Sequence, residues 1–192
     1  MRGALGLLDF GPSPRPLTDR SPIGVNAAFR REAFGRVGLF DTAIGRKPGT
    51  LLGQEVRDWF LRARSAGLRG YYVPQMVVRH IVPAGRLTKR YFRRWFYWHG
   101  ISRALMYERR PVDMLSPEHS ELDFAQIPHI AGVPRYLYRK AAASFATMVA
   151  AHLRHDRSAA FEAELSLWRF AGIARQRWRD TRVKTRRRIN LV

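Results

Sequence analysis

Three side chains able to do chemistry stand at separated points of the chain: the amide of Asn26, the carboxylate of Glu55 and the imidazole of His80. Asn26 sits in "GVNAAFRREAF" (24–34), two residues after Gly24 and shortly before the pair Arg30 and Arg31. A small residue there lets backbone approach a ligand closely. The amide offers a donor and an acceptor to hydroxyl groups. Glu55 opens "QEVRDWFLRARSA" (54–66), where the helix dipole keeps a first-turn carboxylate ionised and able to accept a proton. His80 closes "MVVRH", and an imidazole at a strand end suits a metal or a phosphate. Each also has a plainer reading. Glu55 can be an ordinary first-turn residue beside a surface Asp58–Arg62 pair on the same helix face, and His80 a hydrogen-bonded strand-end histidine.

These residues need elements to position them. Ile23–Asn26 reads as a short strand or turn, and Arg31–Val37 as a short helix with Phe34 and Val37 on one side. A glycine-rich loop follows over 38–53. The spacing of Val56, Trp59, Phe60 and Ala63 predicts a helix over Gln54–Ala66, with Gly67 as its stop. Tyr71–Val73 and Met76–His80 are strand candidates, interrupted by Pro74. Thr88 is placed to cap a long helix over 89–108 that has Gly100 inside it. Residues 110–133 are acidic, proline-rich and irregular, and helices are predicted at about 134–154 and 157–178. The fold class expected is α/β and helix-rich. Its parts are a mixed region over 1–108, a linker over 109–133 and a basic helical extension over 134–192.

Composition narrows the functions open to such a chain. Its 35 Lys and Arg against 15 Asp and Glu give a formal charge of +20, which implies an anionic partner. The absence of cysteine excludes disulfides, zinc–thiolate sites, iron–sulfur clusters and a Cys nucleophile. No stretch is apolar for long enough to span a membrane, and the N-terminus carries no signal-peptide pattern. The 89–108 helix interleaves Tyr91, Trp95 and Trp98 with Lys89, Arg90, Arg93 and Arg94. Aromatic bodies with cationic heads suit a lipid headgroup zone, stacking on single-stranded nucleic acid, or the basic edge of a core helix. The tail over 175–188 is open to the same choice between an anionic contact and a solvated end.

Read in order, the pieces resemble the second half of the catalytic domain of family 2 glycosyltransferases, nucleotide-sugar enzymes of the GT-A fold. The matching residues are Gly24, Asn26, Ala28, Arg30 and Arg31, then Phe40 and Asp41, then Glu55. Arg62, Arg64, Ala66 and Gly67 follow, and Tyr72, Pro74, Val78 and His80 complete the set. The resemblance covers about residues 20–108. It implies a partial GT-A-like domain, with Glu55 as the catalytic base and Gly24, Asn26, Arg30, Arg31, Asp41 and Arg62 binding substrate. His80 matches a position that touches the metal or diphosphate in some relatives. The resemblance further implies a nucleotide-sugar donor, a glycan or lipid-linked acceptor, and a divalent Mg or Mn ion in the intact family.

Two departures accompany that pattern. Family members carry an acidic pair before the helix, and Val56 stands where the second acid, the usual base, is expected. No Asp-x-Asp occurs in the chain, so the donor and metal half is missing from these residues. On this reading the chain is the acceptor-side portion of such an enzyme, cytoplasmic at the inner face of the membrane, and inactive by itself. The alternative is a non-catalytic basic module on an anionic membrane. Nucleic-acid binding lacks a motif.

Overall fold

The computed structural model describes residues 2–18, 20–110, 114–115 and 126–189, so much of the expected 109–133 linker lies outside the described residues. The helices are α1 (Arg31–Val37), α2 (Glu55–Ser65), α3 (Lys89–Arg109), α4 (Arg135–Leu153) and α5 (Arg157–Ile189). Strand β1 (Arg15–Pro16) pairs antiparallel with β2 (Tyr71–Tyr72), and β3 (His129–Ile130) with β4 (Val133–Pro134). The chain is therefore helix-rich with two small antiparallel sheets, and no parallel pairing occurs among the described residues.

Local chemistry sets the helix ends. Thr88 Oγ1 accepts the Tyr91 amide at 3.2 Å and starts α3 as its sequence position predicts. Gly67, at φ +76°, ends α2: the Leu68 amide reaches the Ala63 carbonyl and the Gly67 amide the Arg64 carbonyl, each at 2.9 Å. Asp156 Oδ1 accepts the amides of Ser158 and Ala159 and opens α5. The expected strand over Met76–His80 does not form; residues 73–83 run as a turn and irregular chain. The pattern there is strand-like, but no neighbouring strand offers a ladder, and a β-rich segment without one has no reason to stay extended. The helix predicted over 157–178 instead continues through the basic tail to Ile189.

In the N-terminal part, α1 and α2 satisfy each other's exposed ends. Arg62 on α2 donates to the carbonyls of Val37 and Leu39 while its Nε pairs with Asp58 at 2.8 Å. Trp59 Nε1 donates to Gly38 O at 2.8 Å, and Arg36 on α1 returns a bond to Ala66 O at 2.7 Å. Helix C-termini leave carbonyls without intrahelical donors, and these side chains supply them. Phe29, Phe34 and Phe40 close around Trp59, Phe29 edge-on at 4.9 Å and the other two tilted.

The C-terminal part is built on the crossing of α3 and α5. A Cβ on Gly100 would fall on the backbone carbonyl of Arg169, and one on Gly172 would fall on that of Tyr97. The two glycines are thus the condition for these helix backbones to touch. Ala104, Ile173, Ala174 and Tyr107 pack beside the crossing, joined by Leu137 of α4 and Val133 of β4. Buried Arg177 knots this core: it donates to Glu108 at 2.5 Å and to Gly132 O at 2.8 Å, and lies over the Tyr107 ring. Burial pushes the Tyr107 hydroxyl up to about 12.

This packing gives a contrast among glycines. Gly172→Ala should destabilise the chain by about 3 kcal/mol, because neither helix backbone can yield without parting the core. Gly35→Ala, in α1 with open space around it, should be neutral or stabilising by about 0.5–1 kcal/mol. Urea unfolding midpoints at unchanged slope check both.

Candidate functional site

The expected site residues divide between two places. One is a half-open cleft of about 990 Å³ between the 5–12 segment, the 22–30 junction, the inner side of α2 and the 68–80 segment. Asn26, Arg30 and His80 all line it. The other is the mouth of α2, where Glu55 begins the helix behind its N-cap Gln54. Glu55 is not among the cleft-lining residues, so Asn26 and His80 share a hollow that the carboxylate does not enter.

In the cleft, much of the expected polar capacity is spent on holding the chain. Asn26 Nδ2 donates to Met76 O at 2.5 Å, and so ties the junction turn to the 73–77 turn. His80 Nδ1 lies 2.9 Å from Leu5 O, which requires the proton on that nitrogen and leaves Nε2 as an acceptor in the neutral ring. Gly6, at φ +80°, makes this contact possible, since a Cβ would stand 2.9 Å from Nδ1. Phe29 and Phe60 line the same cleft, while Val77 and Val78 on its rim are exposed. The cleft is a largely apolar hollow whose acidic, basic and imidazole lining is Asp9, Arg30, Arg69 and His80.

The mouth of α2 carries the opposite character. Glu55 Oε2 is sealed from solvent and has no hydrogen-bond partner. Gln54 is buried, its Nε2 bonded to Gly53 O at 2.8 Å and its Oε1 left without a partner. Gly45 and Gly53 lie close by: a Cβ on Gly45 would stand 3.6 Å from the Glu55 side chain, and one on Gly53 3.9 Å from Arg46 Nε, both ordinary contacts. Gly24 approaches the same helix turn, with Val56 Cγ2 only 3.0 Å from where its Cβ would be. Buried acceptors without donors are costly. The two here belong to consecutive residues at the positive end of the α2 dipole.

The remaining expected residues do other work. Arg31 is exposed on the first turn of α1. Asp41 accepts the Ala43 amide at 2.7 Å and pairs with Arg109 at 2.9 Å, fastening the loop to α3. Arg62 spends its nitrogens on Asp58 and the α1 terminus. Sequence reasoning missed Gln54, although its place directly before Glu55 marks it as the helix cap. It also gave no role of its own to His99 of α3. That ring stacks on Trp95 at 4.8 Å, and its Nδ1 is sealed without a partner. Burial, with Arg169 and Arg57 nearby, lowers its pKa to about 3.

The divalent ion that the resemblance implies does not fit what is present. His80 gives Nδ1 to a carbonyl and keeps only Nε2 as a ligand atom, and no group of three or more His, Asp or Glu able to hold a metal occurs among the described residues. A hard cation needs several oxygen ligands. No step of the chemistry below is routed through one.

No family model matches this chain, and no curated protein or solved structure matches it. The glycosyltransferase resemblance therefore stands on the order and spacing of its motif residues.

His99 gives this region a pH dependence. The unfolded chain takes up a proton on His99 near pH 6.5, whereas the folded chain resists until about 3. Stability is therefore full above pH 6.5 and falls on acidification through that window, by at most about 1.4 kcal/mol per pH unit. Urea midpoints measured from pH 7 to 5, above the carboxylate range, should show the slope. His99→Phe, which keeps a ring on Trp95, should flatten it.

Proposed function

We propose that this chain serves glycosyl transfer, as the acceptor-side portion of a family 2-like glycosyltransferase of GT-A kind. The observation that carries the reading is Glu55: a carboxylate at a helix mouth, in the motif position of the family's acidic pair, with a sealed Oε2 that no protein donor satisfies. The loop glycines Gly45 and Gly53 lie beside it at ordinary contact distance.

In this reading the sealed oxygen is uncovered as the loop over 45–53 moves aside, and the acceptor hydroxyl donates to Glu55 Oε2. Glu55 takes its proton as the oxygen attacks the anomeric carbon, and the nucleotide diphosphate departs with inversion. Positioning supplies much of the rate. Gln54 Oε1 accepts from a second hydroxyl and sets the orientation. Arg30, exposed at the cleft edge, offers charge to the departing diphosphate side. Donor recognition comes from polypeptide outside these residues, because no Asp-x-Asp lies within them.

The test separates the two halves of the proposal. On a broad glycan array the purified chain should retain a subset of oligosaccharides, and Glu55→Ala should weaken that binding about tenfold, the worth of one charged hydrogen bond. Incubated with nucleotide sugars and the retained glycan, the chain alone should form no product. Product formation would overturn the division of labour. Absence of any glycan binding, or binding indifferent to Glu55→Ala, would overturn the acceptor site.

A further inference from the structure

The aromatic, arginine-rich pattern that suggests a lipid contact in sequence lies on α3, but α3 is the central helix of the fold. Its Arg93 is engaged by Glu164 through paired bonds of 2.6 and 3.0 Å, its Tyr97 meets Trp168 edge-on, and Phe92 is buried. The free amphipathic surface is on α4. Phe145, Val149 and Leu153 recur every four residues and are 56%, 42% and 78% exposed. Ala142 is exposed one turn before Phe145 and Ala146 between Phe145 and Val149, so the stripe is continuous along the outward face. The opposite face turns Leu137 and Ala151 into the core.

Charge frames this stripe. Helix α4 contains no Asp or Glu over its 19 residues, while Arg135, Arg139 and Lys140 are exposed near its start. Arg154 and Arg157 are exposed just past its end, and the intervening Asp156 is spent capping α5. At the first end, Trp178 of α5 is 44% exposed with Nε1 3.4 Å from the Tyr138 hydroxyl, flanked by exposed Arg175 and Arg179. Single exposed apolar residues mean little. An apolar stripe bounded at both ends by cations, with indole and phenol beside it, is the pattern of a helix lying in a membrane interface.

We propose that the outward face of α4 docks on an anionic phospholipid bilayer, with the helix in the plane of the surface. Phe145, Val149 and Leu153 enter the acyl boundary. Arg135, Arg139 and Arg154 lie at the level of the lipid phosphates. Among the described residues no helix is long and apolar enough to cross a membrane, and the contact is a surface one. A second copy of the chain would cover the same apolar stripe but would set these cations against one another, which favours the anionic surface over self-association. The inference stands apart from the glycosyl-transfer reading, since it uses none of that site's residues.

The chain has no cysteine, so Leu153→Cys carries a single environment-sensitive fluorophore in the full-length protein. Vesicles of phosphatidylcholine mixed with phosphatidylglycerol should shift its emission to the blue, and vesicles of phosphatidylcholine alone should not. Phe145→Glu with Val149→Glu should lower the partition coefficient about tenfold or more. Arg135→Glu with Arg139→Glu, which leaves the stripe intact, should also weaken binding and reduce its salt dependence. Several results would overturn the proposal: no shift with anionic vesicles, equal binding to both vesicle types, or binding unchanged in both double variants. So would self-association in sedimentation that Phe145→Glu abolishes while no vesicle binding is seen.

Discussion

Two helix backbones meet in this protein because neither has a side chain at the point of contact. Gly100 and Gly172 let α3 and α5 approach until each presents its α-carbon to a carbonyl of the other. A glycine inside a helix costs conformational entropy. Here that cost is offset by the burial of Ile101, Ala104, Ile173 and Ala174 around the crossing. The position of α3 then fixes the rest. Its far side carries Met106 against Leu61 of α2, Arg94 against Gly49 O, and Arg109 against Asp41. The N-terminal elements are hung on α3, and the mouth of α2 takes its place from that attachment.

The polar residues around α2 sort into those that hold the structure and those left with capacity to spare. Arg62, Trp59 and Arg36 close the exposed carbonyls of two short helices, so α1 and α2 move as one piece. Asn26 and His80 secure the irregular segments that frame the cleft. Against these satisfied groups, the sealed oxygens of Gln54 and Glu55 have no partner, and neither do His99 Nδ1 and Asp180 Oδ2 elsewhere in the chain. What separates Gln54 and Glu55 from the others is their place at the N-terminal end of α2, and that is the physical content of the proposed site.

Much of the helical framework was legible in the sequence, because helix ends are written locally. Thr88 names the start of α3, Gly67 the stop of α2, and the apolar spacing of Val56, Trp59, Phe60 and Ala63 names the buried side of α2. What depends on distant partners was not legible. Met76–His80 reads as a strand, yet a strand exists only where another pairs with it. Gly100 is visible as an oddity inside α3, but its reason is Arg169, far along the chain. Arg62 reads as a ligand-binding cation until the carbonyls of Val37 and Leu39 are seen to fill it. Of the candidate site, the identity of Glu55 was readable from motif order, and its company with Gln54, Gly45 and Gly53 was not. The aromatic–arginine helix shows the same limit from the other side. Composition left α3 open among a lipid contact, nucleic-acid stacking and the basic edge of a core helix, and only its packing against α5 decides for the core.

The claim beneath all of this is that the α3–α5 contact is the stable centre from which α2 is positioned. Hydrogen exchange on the intact chain, resolved by peptide, measures it directly. Amides flanking Gly100 and Gly172 should exchange slowest and together, those of α2 next, and those of residues 73–83 within the earliest time points. Fast exchange across the middle of α3 or α5 while α2 stays protected would show that the N-terminal elements stand on their own, and would contradict the account.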